Sequence, residues 1–208
     1  MLITVEGLDG AGKTTLIAGL TEQLDATVLR EPGGVELSER IRELVKDPAL
    51  TVDPRAEALL YAAARAQLVA EKLRPLLDGG TTVILDRFID SSLAYQGGGR
   101  GLGVEEIRTL NEFGTGGLEP DKTLLLRVDP AVGLGRIADR EADRLELAGG
   151  EFFARVAKTY DELAAAAPER FVVLDATQPP ETVLAAALEA LNLKQSSPSA
   201  PPRSSDLK

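Results

Sequence analysis

Five short apolar runs separated by helical stretches predict an α/β fold: an open, five-stranded parallel sheet with helices on both faces. Three observations carry that prediction. The runs are rich in β-branched residues and leucine, several of them close on Gly or Asp, and the segments between them carry apolar residues at helical spacing. In such a sheet the ligand sits at the carboxyl ends of the strands.

The first run is Leu2-Ile3-Thr4-Val5-Glu6, ending at Gly7. The spacing of Leu16, Ile17, Leu20 and Leu24 predicts a helix from about Thr14 to Leu24. Ala26 to Arg30 reads as the second strand, Glu36 to Lys46 as a helix, and Pro54 to Leu76 as one longer helix ending near Asp78-Gly79-Gly80. Thr82 to Leu85 is the third strand and closes on Asp86-Arg87. Lys122 to Val128 and Arg170 to Leu174 complete the sheet, each followed by Asp and then a helix. The composition from Lys194 to Lys208 is mostly Ser, Pro, Lys and Asp, which predicts a disordered tail after a single domain over 1–193.

With no Cys and no His among its 208 residues, the chain has no thiolate metal site, cysteine nucleophile or imidazole base. Phosphoryl transfer survives that cut, because it relies on backbone amides, Lys, Arg and magnesium to position and neutralise charge. A net charge of -10 argues against a broad basic surface for polymeric nucleic acid and favours a small ligand. No run approaches membrane-spanning length and no leader-like pattern opens the chain, so the expected location is cytoplasmic, away from any membrane.

Gly7-Leu8-Asp9-Gly10-Ala11-Gly12-Lys13-Thr14 falls between the first strand and the first helix. Its glycines let successive N–H groups turn inward around phosphate oxygens, Lys13 reaches the β- and γ-phosphates, and the Thr14 hydroxyl takes one position on magnesium. This is the phosphate loop of P-loop NTPases, and the expected ligand is a nucleoside triphosphate with Mg²⁺, a feature that GTPases, transport ATPases and small-molecule kinases share. No Asn-Lys-x-Asp segment is present to read guanine.

Asp86 and Arg87, at the end of the third strand, lie where a magnesium-bound water and an acceptor phosphate are expected. Ser92, Tyr95 and Gln96 share a helical face, as do Tyr61 and Arg65, a pair suited to stacking on a flat heterocycle and bonding its edge. Taken alone, Tyr61 also reads as core and Arg65 as a solvated face; the neighbouring motifs favour a site. Arg136, Arg140 and Arg144 recur every fourth residue, either as a basic stripe or as charges balanced by Asp139, Glu141 and Asp143.

Gly7 to Thr15, Arg30-Glu31-Pro32-Gly33-Gly34, Asp86-Arg87-Phe88 and Ser91-Ser92-Leu93-Ala94-Tyr95-Gln96-Gly97 together resemble the bacterial thymidylate kinase family, in order from Met1 to about Leu193. The resemblance implies a nucleoside monophosphate kinase fold, phosphorylation of dTMP by MgATP, and a homodimer. It implies that Tyr61 stacks on thymine, Arg65 bonds the base edge, Ser92 and Gln96 add to base recognition, and Tyr95 packs under the sugar. Arg42 and Arg87 would hold the acceptor phosphate, Asp9 the sugar 3′-hydroxyl, and Glu31 and Asp86 the magnesium and water shell.

The resemblance also implies a short mobile lid over about 136–150. Arg136 would stack on adenine, and Arg140 and Arg144 would supply transition-state charge that the loop residues Leu8 to Ala11 lack. Leu8, Ala11 and Thr15 complete the expected ATP site with Gly7, Gly10 and Gly12. The family usually has Phe at the place of Tyr61 and Tyr at the place of Phe88. Kinases for other monophosphates and a regulatory P-loop ATPase are the alternatives.

Overall fold

The computed structural model describes residues 1–137 and 143–191. Its five strands are β1 (Leu2–Gly7), β2 (Thr27–Arg30), β3 (Val83–Asp86), β4 (Lys122–Arg127) and β5 (Phe171–Asp175). They pair in parallel in the order β2-β3-β1-β4-β5. β1 is thus central, with β3 on one side and β4 on the other. The strand order reverses there, opening a crevice at the carboxyl ends.

Both faces are covered because successive side chains of each strand point to opposite sides. Ile3, Val5, Ile84, Leu124 and Leu126 pack against α1 (Lys13–Gln23) and the C-terminal helix (Pro180–Ala190) through Leu16, Leu20, Val183 and Ala187. On the other face Leu2, Val83 and Leu85 meet Leu68, Val69 and Leu73, while Leu125 and Phe171 meet Leu93, Phe152, Phe153 and Val156. The remaining helices are α2 (Glu36–Lys46), α3 (Pro54–Leu68), α4 (Arg74–Asp78), α5 (Ile89–Ser92), α6 (Val104–Thr115), α7 (Pro130–Gly135) and α8 (Gly150–Ala166), so the C-terminal helix is α9.

Three expectations need correction. The long helix over Pro54 to Leu76 is interrupted by a π-helical turn over Val69–Leu73, in which Arg74 N–H donates to Val69 O. Pro75 follows at once; having no N–H to donate to residue 71, it favours a shifted ladder just before it. Likewise Ser92 ends an α-helix, while Tyr95 and Gln96 lie in a second π-helical turn, Leu93–Gly99. Finally, α7 stops at Gly135 and Arg144 lies outside any helix, so Arg136 and Arg144 do not share a helical stripe. Arg140 and the tail over 194–208 lie outside the described residues.

Candidate active site

The phosphate loop leaves β1 at Gly7 and enters α1 at Gly12, whose φ of 96° is left-handed and suits glycine. Gly10 has φ 77°, and a Cβ there would stand 2.0 Å from the Gly133 carbonyl oxygen, so α7 packs directly on the loop backbone. Lys13 is buried and its Nζ donates to Gly7 O (3.3 Å) and Leu8 O (2.9 Å). The side chain lies folded along the loop it serves.

Burial, and then the charge of Arg87, push the Lys13 ammonium down to about 8, against the pull of Asp9, Asp86 and Glu6. A phosphate-holding role for Lys13, as expected from the loop, requires the protonated form; apparent ATP affinity is then expected to be flat below about pH 8 and to fall above it, by up to about tenfold per pH unit. The ATP KM measured from pH 6.5 to 9.5 checks this. A flat profile throughout would contradict it, and Lys13→Arg should move the break beyond the range.

Arg87 follows β3 with φ 68°, a left-handed conformation that costs a non-glycine residue on the order of 1–3 kcal/mol. Its surroundings hold it there. Arg87 N–H donates to Val5 O (3.1 Å), and the next amide, Phe88 N–H, donates to Glu6 Oε1 (2.7 Å). The guanidinium then turns back under the loop, with NH1 on Gly7 O (2.9 Å) and Ser91 Oγ (3.2 Å) and NH2 on Asp9 Oδ1 (2.8 Å). Tyr95 OH donates to the other Asp9 oxygen (3.2 Å), and its ring lies under the Arg87 guanidinium at 5.2 Å. Burial alone would raise the Asp9 pKa, but Arg87 and then Lys13 hold it well below the usual carboxylate range.

Glu6, absent from the sequence expectations, is the brace of this turn. Fully buried on β1, it accepts from Phe88 N–H, Ser91 Oγ (2.6 Å) and Tyr160 OH (2.8 Å). Burial and the negative charge of Asp90 push its carboxyl up to about 7, while the Ser91 hydrogen bond opposes them. Its signal in the sequence is a single acid inside a buried apolar strand.

Arg65 is 2% exposed and spends all five donors inside the protein. Nε donates to Glu31 Oε2 (2.7 Å), NH1 to Ser92 Oγ (2.9 Å) and Asn111 Oδ1, and NH2 to Phe88 O (2.9 Å), with Glu31 Oε2 also 2.6 Å from NH2. Arg65 braces the pocket wall, and a bond to a base edge requires exchanging one of these partners. Burial raises the Glu31 carboxyl pKa against the pull of Arg65. Phe88 is fully buried, with Arg65 over its ring at 5.4 Å, so an apolar ring at this place packs under the guanidinium.

One cavity of about 540 Å³ joins these groups. The loop residues Asp9, Gly10, Gly12, Lys13, Thr14 and Thr15 line it together with Tyr61, Ser92, Tyr95 and Gln96, and Tyr95 reaches the loop through Asp9. Arg42, anchored by NH1 on Pro32 O (2.9 Å), and Arg87 line it too. Arg136 closes the loop end, with NH1 on Gly10 O (3.3 Å) and NH2 on Ala176 O (3.1 Å). Among the described residues Glu31 Oε1 and Asp86 Oδ1 are buried without a hydrogen-bond partner, and both residues line this cavity beside Thr14. Orphaned carboxylate oxygens next to a hydroxyl suit a hydrated divalent cation.

Along residues 5–187 the sequence matches the thymidylate kinase family model. The chain belongs to the thymidylate kinase family. It is 54% identical over 185 residues to the thymidylate kinase of Deinococcus radiodurans, covering 86% of this chain and 90% of that one. With the thymidylate kinase of Bacillus licheniformis it shares 47% identity over 193 residues, 88% of this chain and 91% of the other. The crystal structure of thymidylate kinase from Ehrlichia chaffeensis superposes with a TM-score of 0.77 at 31% identity, covering 93% of this chain and 98% of that one.

Against the family's expected lid arginines the structure makes one correction. Arg144 does not line the cavity. Its Nε donates to Val45 O (3.0 Å), its N–H to Lys46 O (3.3 Å), and NH2 lies 2.7 Å from Glu57 Oε2 as an ion contact. The guanidinium is neutralised by a fully buried carboxylate and caps the end of α2. The Asp-Arg-x-Glu segment of this thymidylate kinase family member is a capping box: Asp143 Oδ1 accepts from Leu145 N (3.0 Å) and Glu146 N (3.1 Å), and Glu146 Oε2 accepts from Asp143 N (3.0 Å). Lys46 Nζ, on Asp143 Oδ2 at 2.8 Å, ties that box to α2 and also lines the cavity.

Proposed function

We propose that the chain transfers the γ-phosphoryl group of MgATP directly to dTMP, giving dTDP and ADP. The observation that carries this reading is one cavity lined both by the phosphate loop and by a half-buried aromatic with convergent polar groups. ATP places its phosphates over the loop amides of Gly10 to Thr15, with Lys13 on the β- and γ-oxygens and Arg136 beside the adenine. Thr14 and, through water, Asp86 and Glu31 would hold Mg²⁺, which would supply positive charge against the phosphates. Arg87 and Arg42 grip the acceptor phosphate, Asp9 takes the sugar hydroxyl, Tyr95 packs under the sugar, and Tyr61 stacks on the base beside Ser92 and Gln96.

No general base is needed, because a phosphate monoester is already largely ionised at neutral pH. The protein's part is alignment and charge compensation. ADP formation assayed with dTMP, dUMP, dCMP, dGMP and dAMP tests the assignment. Equal rates with all five would overturn it.

A homodimer in the cytoplasm completes the reading. Leu37 and Leu44 on α2, Leu59 on α3 and Phe113 on α6 are exposed, Phe113 by 89%, and the three helices are neighbours. A second copy laid on this face covers them. The double variant Leu59→Glu, Phe113→Glu should sediment as a monomer where the parent sediments as a dimer; identical sedimentation of the two would remove this face as the interface. Among the described residues no helix is long and apolar enough to cross a membrane.

A further inference from the structure

Glu57 lies on α3 one turn before Tyr61 and is fully buried. Its carboxylate gathers three side chains from distant parts of the sequence. Oε1 accepts from Gln96 Nε2 (2.9 Å) and Arg100 Nε (3.2 Å); Oε2 accepts from Arg100 NH2 (2.9 Å) and lies 2.7 Å from Arg144 NH2. With two guanidinium groups against it, this carboxylate offers only lone pairs.

That restriction has a chemical consequence for Gln96. A primary amide has one donor end and one acceptor end, and only the donor end satisfies Glu57. Gln96 Oε1 is left as the end available to the cavity that Gln96 lines, and among the described residues nothing donates to it. One turn earlier, Ser92 Oγ accepts from Arg65 NH1, so its own proton is free to be donated. Acceptor and donor thus line one wall of the pocket in a fixed sense.

We propose that Glu57 is a positioning residue that sets the polarity of the Gln96 amide and thereby selects a base presenting an N–H donor beside a carbonyl. The proposal rests on the monophosphate-kinase reading above and deepens it. Thymine and uracil carry N3–H next to a C4 carbonyl. Cytosine carries the reverse pattern, a bare N3 beside an amino group, and would leave two buried polar groups facing like partners. Arg100 and Arg144 serve the same end, because their contacts hold the Glu57 carboxylate in place; Arg100 is itself held over the Phe152 ring at 4.7 Å. Arg144 therefore acts through Glu57 on base selection rather than on the transferring phosphoryl group.

The test compares kcat/KM for dTMP and dCMP in the parent enzyme, in Glu57→Gln and in Glu57→Asp. In Glu57→Gln the new amide can offer Gln96 either of its ends. Glu57→Asp keeps the charge for the two arginines, protecting the fold, but withdraws it by one methylene from Gln96. Both variants are expected to lower the dTMP:dCMP ratio by about tenfold or more, mainly through a raised dTMP KM with kcat changed less. A folded Glu57→Asp enzyme with the parental ratio, or an equal loss on both substrates in either variant, would overturn the proposal. A parent enzyme that shows no preference for dTMP would instead overturn the functional reading, so the two failures are distinguishable.

Discussion

Lys13→Ala should lower turnover by about 10³-fold or more while leaving the fold intact. Lys13 is the buried cation of the loop, and its Nζ rests on carbonyls of Gly7 and Leu8, one short swing from any phosphate held by the loop amides. On the proposed function a phosphate oxygen would replace those two bonds. A preorganised charge in a dry site acts on the charge that spreads over the transferring group, and removing such a group costs several orders of magnitude in rate. Stability should not suffer in step: burying Lys13 pushes its pKa down to about 8, so the side chain opposes folding at neutral pH. Steady-state rates and a thermal unfolding midpoint, measured on the same preparation, separate the effects. Turnover within tenfold of the parent would remove Lys13 from the mechanism.

Arg87→Ala should reduce kcat/KM for dTMP by about 10²–10³-fold. Arg87 lines the cavity, turns its guanidinium beneath the loop, and is the partner of Asp9 at 2.8 Å. On the proposed function, its removal would delete a cation beside the acceptor phosphate and leave the Asp9 charge without its partner. Both changes repel the dianion. Arg87→Lys should recover only part of the loss, since an ammonium restores charge but not the fork that also holds Gly7 O. The dTMP kcat/KM of the two variants checks this; a lysine variant equal to the parent would show that charge alone is used.

Much of this is legible without the fold, and the reason is locality. The five strands and the loop are written in contiguous residues, with Leu2 to Gly7 running straight into Gly10, Gly12 and Lys13. Strand and helix ends fall within a residue or two of those expected for β1, α1 and α2. The groups that hold the site are a different case. Glu6, Glu57 and Asn111 are buried polar residues whose partners lie tens of residues away, as with Glu57 and Gln96 or Glu6 and Tyr160. No local pattern announces such pairs.

Arg144 illustrates the same point from the other side. Its spacing in steps of four from Arg136 suggests a stripe of charge over the phosphates, yet a buried acid on α3 and the open carbonyls at the end of α2 claim it. Nearby, Asp143 and Glu146 carry a readable sign: an acid three residues before Glu is a capping-box pattern, and its bonds form as that pattern specifies. Helix α6 and the two π-helical turns go unannounced. In α6 a short stripe of Val104, Ile107 and Leu110 is obscured by Gly103, Gly114 and Gly116, while the ladder slips depend on packing around Pro75 and the Gly97 to Gly99 run.

The most direct test of the central claim is transfer of label from γ-labelled ATP in the presence of Mg²⁺ and dTMP. The account predicts label in dTDP matched mole for mole by ADP, and almost no ADP when dTMP is omitted. ADP formed at the same rate without a monophosphate, with no label in dTDP, would contradict it.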